Sequence, residues 1–185
     1  MVKTVLVIGG MGSSWHKDGT WLHAHGQRLL ELFRLDAIQV WCPEGNSTGR
    51  REWVPYAGDG KACQSVDRPE RMWEEFAWLP SAADKLGDTL VLAFSNGCVM
   101  AGELQRVYPE KITGVILGSG VPGTYESMKR FRQIRVVMSI GTEEEFFGGP
   151  SGLQAVANAM LARTLQFSGR HCFEPEALWS ALLSD

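Results

Sequence analysis

The sequence predicts an α/β fold: a mostly parallel six-stranded sheet with helices on both faces. Two observations predict it. Short apolar runs alternate with amphipathic segments from one end of the 185 residues to the other. Those runs are apolar without alternation, as strands covered on both faces are. Composition agrees, with 44% hydrophobic and 21% charged residues, which is ordinary globular usage. The length predicts one domain over residues 1–185.

Lys3–Gly9 (KTVLVIG) is the first predicted strand, β-branched and closed by Gly9-Gly10. Trp21–Leu35 places Leu22, Leu29, Leu30, Leu32 and Phe33 on one helical face. Ala37–Trp41 is the second strand, stopped at Cys42-Pro43. Glu44–Ala62 has no period and reads as a long loop carrying Trp53 and Tyr56. Asp67 caps a predicted helix over Arg68–Leu86, which Pro80 should kink or split and Gly87 should end. Asp88–Phe94 is the third strand, and Asn96–Tyr108 a helix stopped before Pro109. Ile112–Leu117 and Gln133–Ile140 are the fourth and fifth strands. Ser151–Ala162 is a helix, Thr164–Phe167 the sixth strand and Pro175–Leu183 a last helix.

Right-handed crossovers put the strand C-terminal ends on one edge, where such sheets bind ligands. Chemistry is therefore sought in the loops that follow strands. The third strand runs into Ala93-Phe94-Ser95-Asn96-Gly97, a small-x-Ser-x-Gly pattern with Ala in the first small position. A strand that turns into a helix within one residue needs small neighbours two positions away. The helix N-terminus then offers N–H groups to a developing oxyanion. A plain turn with a Ser cap is the alternative use of this pattern.

After the fifth strand stands Gly141-Thr142-Glu143-Glu144-Glu145, with Glu144 at the spacing that suits an acid orienting an imidazole. Glu143 and Glu145 remain alternatives. After the sixth strand stands His171. The order Ser, acid, His, each after its own successive strand, is that of a nucleophile–base relay on such a sheet. Glycines 9, 10 and 12 follow the first strand. They let backbone approach a carbonyl closely, so the N–H groups of Met11 and Asn96 are the expected oxyanion donors. A dinucleotide reading of Gly10-Met11-Gly12 fails because Trp15 occupies the third glycine position. Gly10, Trp53, Tyr56, Phe94, Phe146 and Phe147 are candidates to line an acyl pocket.

Other classes fit poorly. A net charge of −3 without a basic tract argues against nucleic acid. No apolar run reaches the ~20 residues of a membrane span, and Val5–Gly9 is too short for a signal-peptide core. Four cysteines without regular spacing read as free thiols in a cytoplasmic protein. His16, His23 and His25 have no carboxylate or thiol nearby to complete a metal site. No metal and no cofactor are expected.

The segment Leu92–Pro122 (LAFSNGCVMAGELQRVYPEKITGVILGSGVP) resembles the nucleophile region of small capless α/β-hydrolases of the carboxylesterase, lysophospholipase and acyl-protein thioesterase type. The turn at Tyr108–Lys111, IGTEEE at Ile140–Glu145 and the tail Ser168–Leu183 are similar too. The resemblance spans most of the chain, with Glu44–Ala62 outside it. It implies Ser95 as nucleophile, Glu144 as acid, His171 as base, and Met11 and Asn96 as oxyanion donors, acting on a small acyl ester or thioester. Three departures stand out. Gly9-Gly10 replaces the usual His-Gly, the acid is Glu rather than Asp, and no cap domain precedes it. A non-catalytic small-molecule binder on the same fold and a serine peptidase are the alternative functions.

Overall fold

The computed structural model of the protein describes residues 4–10, 27–28, 30–31, 34, 36–41, 78–123 and 125–171. Six strands form one sheet: β1 (Thr4–Ile8), β2 (Ala37–Trp41), β3 (Thr89–Phe94), β4 (Ile112–Gly118), β5 (Arg135–Gly141) and β6 (Arg163–Phe167). Their order is β2-β1-β3-β4-β5-β6, and every pairing is parallel. The sheet expected to be mostly parallel is thus parallel throughout.

Register explains why the strands read as unbroken apolar runs. Leu6, Val91, Val115 and Val136 lie side by side, as do Ile8, Ala93, Leu117 and Met138. These rows face the helices Gly97–Val107 and Gly149–Met160 in the main core. The alternate residues Val5, Val7, Leu92, Ile116 and Val137 point the other way and are buried as well. Each fully buried Leu or Ile contributes about 1.5–3 kcal/mol, so both faces drive the sheet's assembly.

The helices are α1 (Leu79–Ala83), α2 (Gly97–Val107), α3 (Tyr125–Arg130) and α4 (Gly149–Met160). Tyr108 ends α2 by donating its N–H to the Leu104 carbonyl at 2.8 Å, with Pro109 next. Three boundaries differ from expectation. α1 ends at Ala83, short of the expected Leu86, with Pro80 in its first turn, where a proline loses no helical hydrogen bond; residues 68–77 of the expected helix lie outside the described residues. The fifth strand begins at Arg135, because Phe131–Gln133 forms a 3₁₀ turn that sinks the Phe131 ring fully into the core. α4 begins two residues early, at Gly149, with Pro150 in its first turn. α3 has no counterpart in the sequence reading. Residues 27, 28, 30 and 31 are helical within the expected Trp21–Leu35 segment. Residues 42–77 and the Pro175–Leu183 helix lie outside the described residues.

Strand order places the site. β1 connects outward to β2, and β2 returns past β1 to β3. Connections therefore diverge at the β1/β3 boundary, which opens a crevice above their carboxyl ends. Gly9-Gly10 and Ser95 leave those two strands.

Candidate functional site

Ser95 has φ = 51°, in the left-handed region that costs a non-glycine residue about 1–3 kcal/mol. Two backbone hydrogen bonds hold the turn. The Ser95 N–H donates to the Gly118 carbonyl at 2.8 Å, and the Cys98 N–H donates to the Ser95 carbonyl at 3.0 Å. Glycines supply the room. A Cβ on Gly97 would stand 2.6 Å from the Gly9 carbonyl oxygen and 2.7 Å from that of Ile8. A Cβ on Gly120 would collide with the Ser95 carbonyl oxygen and the Cys98 sulfur. α2 can therefore start immediately behind Ser95, and its first residue presses against the end of β1.

The carboxyl ends of β5 and β6 continue to pair after the strands stop. The Thr142 N–H donates to the Phe167 carbonyl (2.9 Å) and the Glu143 N–H to the Gly169 carbonyl (2.8 Å). A Cβ on Gly141 would lie 2.5 Å from both the Gly169 and Arg170 carbonyl oxygens, so the two loops touch where only glycine fits. This pairing carries His171 over Glu144.

Glu144 is buried, and its Oε1 accepts the N–H groups of Glu145 (3.0 Å) and Phe146 (2.9 Å). His171 Nδ1 lies 3.0 Å from Glu144 Oε1 and 2.9 Å from Oε2. Its Nε2 lies 2.8 Å from Ser95 Oγ. An ionised carboxylate only accepts, so the imidazole proton belongs on Nδ1 and leaves Nε2 to accept from the Ser95 hydroxyl. Burial, the two N–H donors and Nδ1–H together fix the carboxylate's orientation. The arrangement can draw the proton off a serine hydroxyl and return it to another oxygen or to sulfur.

Of the three neighbouring acids, only Glu144 faces His171. Glu143 and Glu145 are exposed and flank the Arg170 guanidinium at 3.8 and 3.5 Å. Gly10 lies against the Ser95 turn, where a Cβ would be 3.0 Å from both the Phe94 carbonyl oxygen and Ser95 Cβ. Asn96 is fully buried as the N-cap residue of α2. The Phe94, Phe146 and Phe147 rings gather round the imidazole, at centroid distances of 5.3, 4.7 and 6.0 Å. Met11, Trp53, Tyr56, His16, His23 and His25 lie outside the described residues.

Gly120 and Gly141 support the site, and the sequence reading assigned neither a role. The signal was present: each stands at or just past the end of a strand whose following loop reaches the ligand edge. Ser119, buried with φ = 42°, and Phe147, with φ = 54°, are further left-handed residues at that edge. Such outliers cluster where a site over-determines its backbone.

No family model matches this chain, and no curated protein matches it by sequence. Among solved structures it is similar to the esterase PE8, at 21% identity over 98% of this chain and 92% of the other, with TM-score 0.71. SOBER1 of Arabidopsis thaliana is 14% identical over 100% and 97%, with TM-score 0.69. Acyl-protein thioesterase 2 of Zea mays is 15% identical over 99% and 93%, with TM-score 0.64. At these identities the likeness is one of fold. The chain has the α/β-hydrolase fold.

Proposed function

We propose that the protein is a serine hydrolase that cleaves a carboxylic ester or thioester through an acyl-enzyme on Ser95. The observation that carries this reading is the continuous hydrogen-bonded line from Glu144 through His171 to Ser95, at 2.9 and 2.8 Å. In the first step His171 Nε2 takes the Ser95 proton as Oγ attacks the acyl carbonyl. The tetrahedral oxyanion is met by the N–H groups of Asn96 and Met11, aided by the N-terminal end of α2. The imidazolium then protonates the leaving alcohol or thiol. In the second half water attacks the acyl-enzyme, His171 removes its proton, and Ser95 regains its own as the acid departs. Glu144 keeps the imidazole in the tautomer that accepts at Nε2 and stabilises its charged form. Gly10 and Phe94, which abut Ser95, border the acyl group. We read residues 1–185 as one such domain in the cytoplasm, a reducing compartment that suits the buried thiol of Cys98.

The test is hydrolysis of p-nitrophenyl acetate together with labelling by a fluorophosphonate. Ser95→Ala should abolish both and leave the melting temperature close to that of the parent. Turnover that survives in this variant would overturn the mechanism. A protein that folds but neither labels nor turns over esters would be a binding module on the same fold. Faster turnover of peptides than of esters would make it a peptidase.

A further inference from the structure

We propose that Phe146 is a positioning residue for His171, holding the imidazole plane on the line between Glu144 and Ser95. The inference rests on the reading of His171 as the general base. Both hydrogen bonds of the imidazole lie at its nitrogens, Nδ1 on Glu144 and Nε2 on Ser95. The ring is anchored at Cβ as well, but hydrogen bonds tolerate bending before they weaken steeply, so it can still rock about its Cβ–Cγ bond and spoil the alignment at both nitrogens together. Groups packed against the ring's faces and edges resist that rocking. Three phenylalanines supply them, and Phe146 stands nearest, its ring 4.7 Å from the imidazole centroid at an interplanar angle of 66°. Phe94 and Phe147 are tilted at 40° and 39°.

Phe146 is also locked from below. Its N–H donates to Glu144 Oε1, and its carbonyl accepts the Gly149 N–H at 2.8 Å. The next three residues, Phe147, Gly148 and Gly149, all have positive φ. One residue thus grips the acid through its backbone and the base through its ring. When His171 takes the proton, the aromatic neighbours also favour the cation. The surrounding charges leave this role open. Glu144 occupies Nδ1, and Arg170 is engaged by Glu143 and Glu145.

A wall of the acyl pocket is the competing role for an aromatic side chain that is 38% exposed. Chain length separates the two. In Phe146→Leu, kcat/KM for p-nitrophenyl acetate, butyrate and octanoate should fall by one common factor, roughly three- to thirty-fold. The maximal rate of inactivation by a small dialkyl fluorophosphate should fall alike, with the half-saturating concentration unchanged. Phe146→Tyr should restore both. A loss that grows with acyl length would overturn the proposal and make Phe146 a pocket wall. The low-field proton NMR signal of His171 Nδ1–H gives a readout without substrate. It should be sharp in the parent and in Phe146→Tyr, and broadened by solvent exchange in Phe146→Leu. An unchanged signal in Phe146→Leu would also refute the proposal. A parent protein that neither labels nor hydrolyses esters would defeat the hydrolase reading, while the NMR comparison would still decide the role of Phe146.

Discussion

Glu144 stands between two other acids, yet the three side chains leave the turn in different directions. Glu143 and Glu145 extend to solvent around Arg170, whereas Glu144 turns inward onto two backbone N–H groups and His171. Spacing from the end of β5 pointed to Glu144 but left its neighbours open, because spacing carries no information about which way a turn aims each side chain. Glu144→Gln tests the distinction. The amide oxygen can keep the Glu145 and Phe146 donors, which puts the NH₂ group opposite Nδ1. That NH₂ group stands 2.9 Å from Nδ1 and competes with the amide oxygen at 3.0 Å, which shifts His171 toward the tautomer that accepts at Nδ1 and donates at Nε2 and so cannot take the Ser95 proton. Ester turnover should fall about 10³–10⁴-fold, as expected when a triad acid imposes the wrong tautomer. Glu143→Gln and Glu145→Gln remove only exposed ion pairs, typically worth up to about 1 kcal/mol, and should leave turnover within roughly two-fold. Steady-state assays of the three variants check this, and equal losses in all three would contradict the assignment.

At the scale of elements, long apolar strands were legible and short helical pieces were not. β2, a half-buried edge strand, was read with both ends right, and the buried β3 to within one residue, since each is a compact, largely apolar run with clear stops on either side. α3 has six residues and is followed by a 3₁₀ turn, too short for an apolar period to appear. Its role depends on tertiary packing, with Met128 and Phe131 buried between α2 and α4. The pairing that continues past β5 and β6 was invisible for a related reason: backbone hydrogen bonds between loops leave no side-chain pattern. Gly141 is their one trace. In Gly141→Ala the added methyl meets two carbonyl oxygens at 2.5 Å, both backbone and neither free to rotate aside. The Gly169–His171 segment must retreat, and His171 with it. A displacement near 1 Å costs about 10²-fold in rate, so turnover should fall by that order. β6 is the last strand of the sheet, and losing part of its pairing should lower the melting temperature only modestly. Calorimetry beside ester assays would check the split; full activity with the methyl in place would show that the loops are not bound as tightly as the geometry requires.

Across the whole molecule, three side chains from three separate loops meet because one sheet is parallel throughout and its connections diverge between β1 and β3. That convergence was legible from chain order alone, since successive strands deliver successive loops to one edge. What order does not convey is how closely the β1 and β3 loops approach each other across the divergence. Gly10 records it: its missing side chain leaves room for the Phe94 carbonyl and Ser95 Cβ at 3.0 Å, and for a Phe94 ring carbon at 3.3 Å. These contacts are tight, not impossible, so Gly10→Ala can be absorbed by shifts of a few tenths of an ångström. The core does not have to yield, because Ile8 and Ala93 beneath remain packed. Ser95 does have to yield, and it already sits in strained backbone between Gly118 and Cys98. The substitution should therefore separate stability from activity. The melting temperature should change little, while kcat/KM for a short ester falls by one to two orders of magnitude, less than the ~10²–10³ typical of deleting an oxyanion donor outright at its upper end. Thermal denaturation and steady-state kinetics on the same preparation measure both. A large fall in stability with activity per folded molecule retained would mean that the glycine serves the core, and that the crevice between the β1 and β3 loops is not where the acyl carbonyl binds.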